Sequence, residues 1–290
     1  MTYLAYPYFN VSPNWNEPKI RKTWKELYTV KILVVAGRMG TGKDSVADQL
    51  LGYGWQRVAL ADVLKQYCHK IFGFDEETLF GPSAARNRIV QPGEISWTDV
   101  FYRAGRIVEE LSVTMMAGSR VLTDDTDRNH LTQNIVADAF CVFLNDCYAQ
   151  DQKGTFSARY ALQKLGTEFG RSLRPNAWLV HAESVIHDIE MGYRYSPLTG
   201  VDWLNGCGVD GNVKPVGYVI TDCRFPNEAE FFKKMGAKVV WIDASKRVPK
   251  PENRHASEPD EKDFEGLTDD TINNNGSILD LAEEVRRVTA

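Results

Sequence analysis

The sequence predicts an α/β protein: a three-layer α/β/α fold on a parallel sheet, with a helical insertion in its middle. Three observations predict it. Lys31-Ile-Leu-Val-Val-Ala36 is a short, nearly continuous β-branched run bounded by glycine, the pattern of a buried parallel strand. The glycine-rich segment from Gly37 to Ser45 follows it and opens an apparent helix. Strand–helix alternation returns after residue 215, so strands flank a helical middle, which requires parallel pairing with helices on both faces.

Taken in order, residues 1–30 read as an N-terminal extension to a domain covering 31–290. Tyr3, Tyr6, Tyr8, Phe9, Trp15 and Trp24 argue that the extension packs, because a disordered tail would be poorer in aromatics. After the first strand, Lys43–Gly52 forms a helix with Val46, Ala47, Leu50 and Leu51 on one face, Trp55–Ala61 a second strand, and Asp62–Phe72 a helix. Within a helical region of about 75–192, Asp99–Met116, Leu131–Ala149, Ser157–Leu173 and Asn176–Met191 show 3.6-residue periodicity. The glycine- and proline-rich stretch 192–215 is a long loop or a small hairpin inserted into the domain. Then come a strand at Val216–Thr221, a helix at Pro226–Met235 and a strand at Lys238–Asp243. Ala244–Asp269 is polar, and Ser277–Val288 is a final helix with Ser277 as N-cap and Asp280 three residues on.

Bulk properties narrow the function. The hydrophobic share of 43% and charged share of 25% are those of an ordinary globular domain. The net charge of −5 argues against nonspecific nucleic-acid binding, which rests on neutralising many phosphates. The five cysteines are odd in number and form no CxxC pair, which argues against a disulfide framework or a closed zinc site and for reduced, cytoplasmic thiols. No apolar run reaches the ~18–20 residues of a membrane span, and the first residues lack the charged and apolar regions of a signal peptide.

The chemistry concentrates in Gly37-Arg38-Met39-Gly40-Thr41-Gly42-Lys43-Asp44-Ser45, where Gly37, Gly42 and Lys43 hold the GxxxxGK spacing. Glycines let successive backbone N–H groups turn inward toward phosphate oxygens, and the helix N-terminus adds partial positive charge. Lys43 adds a full charge that can follow the β- and γ-phosphates of ATP. The fold class is therefore that of the P-loop NTPases. Asp44 stands where serine or threonine commonly holds magnesium; the loop resembles the GxxGxGKxT of adenylate-kinase-like enzymes, whose hydroxyl comes one residue later, and that resemblance implies Mg²⁺ at Ser45, with Asp44 either an outer ligand or simply an acid favoured at a helix start.

These residues resemble those of the phage deoxynucleoside monophosphate kinases, relatives of adenylate kinase and dephospho-coenzyme A kinase. Besides the loop, the resemblance is carried by Val58-Ala-Leu-Ala-Asp-Val-Leu-Lys65, by Leu162-Gln-Lys-Leu-Gly-Thr-Glu-Phe-Gly-Arg171 with Trp178, and by Val219-Ile-Thr-Asp-Cys-Arg-Phe-Pro-Asn-Glu228 continued by Met235–Asp243. Arg254-His-Ala-Ser-Glu258 and Ile272-Asn-Asn-Asn-Gly-Ser277 complete it, from about residue 31 to the C-terminus. The resemblance implies transfer of the γ-phosphate of ATP to a deoxynucleoside monophosphate, with Mg²⁺ as cofactor, in the cytoplasm of a host cell, and suggests a homodimer.

It also implies site residues. Gly40, Thr41, Gly42, Lys43, Asp44, Ser45, Arg247, Asn273 and Asn275 would bind ATP, the asparagines beside the adenine. Arg38, Asp62, Leu64, Lys65, Arg159, Thr167, Glu168, Arg171 and Trp178 would surround the acceptor; Trp178 either stacks on the base or is a core aromatic, and Lys65 is alternatively an ordinary helical lysine. Gly166 and Thr167 are costly inside a helix, which points to a packing or functional reason. Arg103 and Arg106, one turn apart, suit a phosphate clamp or pairing with Glu109 and Glu110. Asp222, at a strand end, holds a magnesium-bound water or caps a turn. Arg224 can pair bidentately with phosphate, with Glu228 placed to anchor it. Arg247 and Arg254 belong to an arginine-bearing lid or to a solvated loop. Lys43, Asp222 and Arg224 form the expected catalytic set. Two other readings stay open: a phosphomevalonate or dephospho-coenzyme A kinase on the same scaffold, and a nucleotide-binding module without turnover.

Overall fold

The computed structural model describes residues 30–122, 129–202, 214–248 and 260–290. The extension and the Arg254–Glu258 motif lie outside the described residues. The strands β1 (Ile32–Ala36), β2 (Gln56–Arg57), β5 (Tyr218–Cys223), β6 (Lys238–Asp243) and β7 (Asp270–Asn273) form one sheet in the order β2-β5-β1-β6-β7. Every pairing in it is parallel. A separate antiparallel hairpin is made of β3 (Arg194–Ser196) and β4 (Gly200–Asp202), so the inserted stretch is a hairpin over its described part.

Alternation along β1 separates two cores. Ile32, Val34 and Ala36 pack with α8 (Ala177–Glu190) and α9 (Pro226–Lys234). Leu33 and Val35 pack with α1 (Lys43–Leu51) and α10 (Ile278–Thr289). These are the outer layers of an α/β/α sandwich, the P-loop NTPase architecture that the sequence predicts.

A third apolar cluster is built from one continuous stretch of chain, whose first helix begins where Asp222 at the end of β5 receives the Leu60 and Ala61 N–H groups. That stretch runs through α2 (Asp62–Phe72), the short α3 (Glu76–Phe80) and α4 (Ser83–Asn87), α5 (Trp97–Met116), α6 (Gln133–Gln152) and α7 (Ala158–Gln163), all but α4 adding side chains to the cluster. A π-helix, Lys164–Arg171, continues α7. Among the described residues no helix is long and apolar enough to cross a membrane.

Several boundaries differ from expectation. The second strand is two residues instead of Trp55–Ala61, because beyond Val58 the backbone turns toward a side chain of β5 instead of a strand. β5 begins two residues later than predicted and carries a register irregularity: Val34 pairs with Ile220, but Ala36 pairs with Cys223. The extra residue on β5 falls beside Asp222, and such a bulge re-aims the local side chains. β7 was not foreseen, since only Ile272 of its four residues is buried. The helix expected through Leu173 widens to the π form at the glycine-bearing segment.

Candidate active site

β1 delivers the chain directly into the phosphate loop. Gly40 (φ 78°) and Gly42 (φ 97°) adopt left-handed backbone that favours glycine. Gly42 is the N-cap of α1 and supplies no side-chain cap, so the N–H groups of the first turn face outward without a built-in acceptor. The loop is braced from within: Thr41 Oγ1 donates to Arg38 O at 2.8 Å, and Lys43 Nζ donates to Gly37 O and Arg38 O at 2.7 and 2.6 Å. Asp44 is exposed and pairs with Arg57 at 3.2 Å. Ser45 lines a cavity of about 210 Å³ together with Gly40, Gly42, Arg247, Asn274 and Ile278.

The Asn273–Asn275 turn, after β7, grips this loop. Asn274, buried, donates from Nδ2 to Thr41 O at 2.7 Å, and a Cβ on Gly42 would stand 2.3 Å from that nitrogen. Arg247 Nε donates to Asn274 O at 2.7 Å. Asn275 Nδ2 donates to Asp243 Oδ2 at 3.0 Å and to Asn273 Oδ1 at 2.9 Å. Asp243 also accepts the Ser245 N–H, and this bond holds its carboxyl below the usual range. Asn273 and Asn275 thus shape the turn, while Asn274, which the sequence reading passed over, fastens it to the loop. A second cavity, about 290 Å³, opens beside Arg38, Thr41, Trp241, Asp243 and Ser245. Arg38 lies 3.7 Å from Asp260.

Across the loop, Asp222 reaches from the end of β5 to the turn that starts α2. Its two oxygens accept the N–H of Leu60 at 2.9 Å and of Ala61 at 2.8 Å. Each oxygen retains a lone pair, so the turn-capping reading and a water-mediated metal role are compatible. Asp62 is buried; its Oδ2 accepts from Ala59 N at 3.1 Å and from Tyr195 Oη at 2.9 Å. Burial pushes its carboxyl up. Lys65 Nζ stands 3.8 Å from Asp62 Oδ1 and 4.0 Å from the centre of the Phe80 ring, and burial pushes its ammonium pKa down.

Lys65 belongs to a cationic group of four. Besides burial, the charges of Arg57 and Arg86 act to depress its protonation, and Arg159 acts likewise on Arg86, which burial already lowers. Arg57, paired with Asp44 in the first turn of α1 at 3.2 Å, brings the group to the phosphate loop. Arg86 Nη1 donates to Gly81 O at 2.6 Å and Arg159 Nη2 to Ser83 Oγ at 2.8 Å. The buried Nε atoms of Arg57 and Arg159 have no hydrogen-bond acceptor in the described structure. Arg57 and Arg86 escaped the sequence reading, because a lone arginine in a strand or a five-residue helix has no local signature.

Glu228, buried in α9, accepts the N–H of Arg224 at 2.6 Å and that of Phe225 at 3.1 Å. Its side-chain partner is Arg171, whose guanidinium lies 4.3 Å over the Phe225 ring. Glu228 therefore anchors Arg224 through the backbone only, and the Arg224 side chain is exposed.

Other expected residues stand apart. Trp178 is 3% exposed, and its Nε1–H donates to Gly166 O at 2.9 Å, which is the core-aromatic alternative and leaves no face for a base. Arg103 lies against Gly73 at the far end of α2, a helix of about 16 Å. Its helix neighbour Glu110 pairs with Lys70 at 2.5 Å. A phosphate clamp from α5 is thus not joined to the loop. Thr167 and Glu168 are exposed on the π-helix, with Glu168 paired to Lys164. Gly166 lets that helix press on Leu64, whose Cδ1 would be 2.8 Å from an added Cβ.

Among the described residues no cluster of three acidic, histidine or cysteine side chains is arranged to hold a metal ion. A magnesium ion that keeps several waters and binds through one or two protein groups plus substrate phosphates requires none. No protein-family model and no curated protein matches the sequence. Among solved structures the chain is similar to the dephospho-CoA kinase from Campylobacter jejuni, with a TM-score of 0.36 and 13% identity over 89% of this chain and 96% of that one. At that level the likeness carries no conclusion, and the functional reading rests on this chain's own residues.

Proposed function

We propose that this chain transfers the γ-phosphate of ATP to a small acceptor that already carries a phosphate monoester, a deoxynucleoside monophosphate first among them. The carrying observation is a glycine N-cap that leaves helix N–H groups open, with Arg57 paired to Asp44 in that first turn and Lys65, Arg86 and Arg159 electrostatically linked behind it, Arg159 bonded to Ser83 on the helix that carries Arg86. One phosphate site made of backbone and Lys43 beside a second made of side-chain cations suits a donor and an acceptor phosphate together.

In this reading the loop N–H groups and Lys43 hold the β- and γ-phosphates, Lys43 leaving the carbonyls of Gly37 and Arg38 to do so. Magnesium, held by Ser45 and through water by Asp222, would supply charge neutralisation between those phosphates. The four cations draw the acceptor phosphate into line. Its oxygen is largely ionised at pH 7 and needs no general base, so catalysis is positioning and charge compensation. The preference for a deoxynucleotide over another phosphorylated acceptor rests on the sequence resemblance.

The test is ADP release from Mg-ATP against dTMP, dGMP, dCMP, dAMP, phosphomevalonate and dephospho-coenzyme A, beside a Lys43→Ala control. Turnover with a deoxynucleotide, lost in the control, supports the proposal. Turnover only with phosphomevalonate or dephospho-coenzyme A moves the acceptor to that class. Binding of ATP with no turnover on any acceptor overturns the kinase reading in favour of a binding module.

A further inference from the structure

The hairpin β3–β4 reaches the site from outside the sandwich. Tyr195 donates its hydroxyl to Asp62 Oδ2 at 2.9 Å, and Gln66 Nε2 donates to Pro197 O at 3.1 Å. Asp62 and Gln66 are four residues apart, one turn along the same face of α2. Gly200, at φ +81°, brings the returning strand so close that an added Cβ would meet Gln66 Oε1 at 3.0 Å. Leu198, at the hairpin tip, packs on the helical cluster, while Tyr195 and Val201 pack on the core shared with α8. The hairpin is thus tied at one end to the sandwich and straps the first two turns of α2, the helix that carries Lys65.

We infer that the hairpin is an acceptor-site element, and that Tyr195 is a positioning residue that fixes Asp62 and through it the direction of the Lys65 ammonium. Asp62 has one oxygen committed to Ala59 and Tyr195 and the other turned toward Lys65. Without the Tyr195 hydroxyl, the Ala59 N–H is the one hydrogen bond among the described residues left to select which oxygen faces which way. Lys65 then loses its fixed partner on one side while keeping Phe80 on the other. The hairpin packs on α2 and α8, whereas the donor loop is gripped by the Asn273–Asn275 turn.

The acceptor assignment rests on the kinase reading; the strap itself does not, and the test separates them. In Tyr195→Phe and, separately, Gln66→Met, the rate of Lys65 acetylation by trace acetic anhydride is measured by mass spectrometry, with Lys70 as the internal standard. The expected result is severalfold faster labelling of Lys65 in Tyr195→Phe and a smaller rise in Gln66→Met, with circular dichroism unchanged. Labelling equal to wild type in Tyr195→Phe overturns the positioning role whatever the enzyme's activity. Where the wild type turns over an acceptor, Tyr195→Phe is expected to raise the acceptor KM on the order of tenfold with the ATP KM unchanged, the size expected from one hydrogen bond to a charged group. An unchanged acceptor KM, or equal losses for both substrates, overturns the hairpin as an acceptor element. If the wild type turns over no acceptor, the kinase reading fails, the acceptor-site part of the inference falls with it, and the labelling still decides the strap.

Discussion

Replacing Gly170 by alanine tests why the π-helix carries a glycine there. An ideal Cβ would stand 2.0 Å from Trp178 Cζ2, 2.4 Å from Cε2 and 2.8 Å from Nε1. Carbon atoms rest at about 3.5–4.0 Å, so the ring or the π-helix must yield by about 1.5 Å. The ring is 3% exposed and cannot swing into solvent. Overpacking of this kind costs about 1–3 kcal/mol, and the indole N–H bond to Gly166 O, lost with the shift, adds about 1 kcal/mol. We expect a loss of about 2–4 kcal/mol in urea denaturation followed by circular dichroism, a midpoint shift of about 0.7–2 M at an m-value of about 2–3 kcal/mol per M. Trp178→Leu is also destabilising, but the double variant should be better than the sum of the two, because the clash needs the ring. A midpoint shift below about 0.3 M in Gly170→Ala, or strict additivity, would refute the packing argument. An unshifted midpoint with a large kinetic defect would return the segment to acceptor recognition.

Three further outcomes are expected. Asn274→Ala removes the grip on Thr41 O, and should weaken binding of a nonhydrolysable ATP analogue by about five- to tenfold in calorimetry, consistent with one buried hydrogen bond, while leaving acceptor binding alone. Arg86→Ala and Arg159→Ala should each raise the acceptor KM at least tenfold with little change in the ATP KM; an equal effect on both would dissolve the distinction between the two phosphate sites. The Asp243 carboxyl is depressed, chiefly by the Ser245 N–H, so its stabilising contribution is present above the unfolded value of 3.8 and is lost as pH falls through the folded value. The difference in melting temperature between wild type and Asp243→Asn should therefore be constant from neutral pH to about 4 and close only below it. A difference that closes already between pH 7 and 5 would contradict the assignment.

The sandwich was readable in the sequence because its three central strands, β5, β1 and β6, are buried on both faces and its last helix carries an ordinary capping signal. β6 coincides with Lys238–Asp243, and Ser277 caps α10 with Asp280 as expected. β7 was hidden because an edge strand with one buried residue has no periodicity to detect. The phosphate loop was legible because its chemistry is local: glycine torsions, a lysine and a helix start. The cationic group was only half legible. Lys65 and Arg159 were singled out, but Arg57 and Arg86 acquire meaning only when β2 is folded against α1 and α4 against α7. Trp178 shows the opposite failure. An aromatic beside a glycine-bearing segment fits stacking on a base and stacking under a backbone equally, and the burial of the ring, its bond to Gly166 O and the 2.0 Å left for a Cβ at Gly170 distinguish them.

The strand order has a consequence for how the chain assembles. β1 is the central strand, yet Ile32 pairs with Tyr218 and Leu33 with Lys238, so its neighbours are made long after it. The apolar cluster between them, from Val63 to Trp178, is continuous in sequence and contains its own partners. At about 5–20 residues per second on a ribosome, β1 waits about 10–40 s for β5 while the helical layer condenses. Ile32–Ala36 is thus an unpaired, fully apolar ribbon through most of translation. The loop that follows it gains its shape last of all, when the Asn274 turn arrives from near the end of the chain.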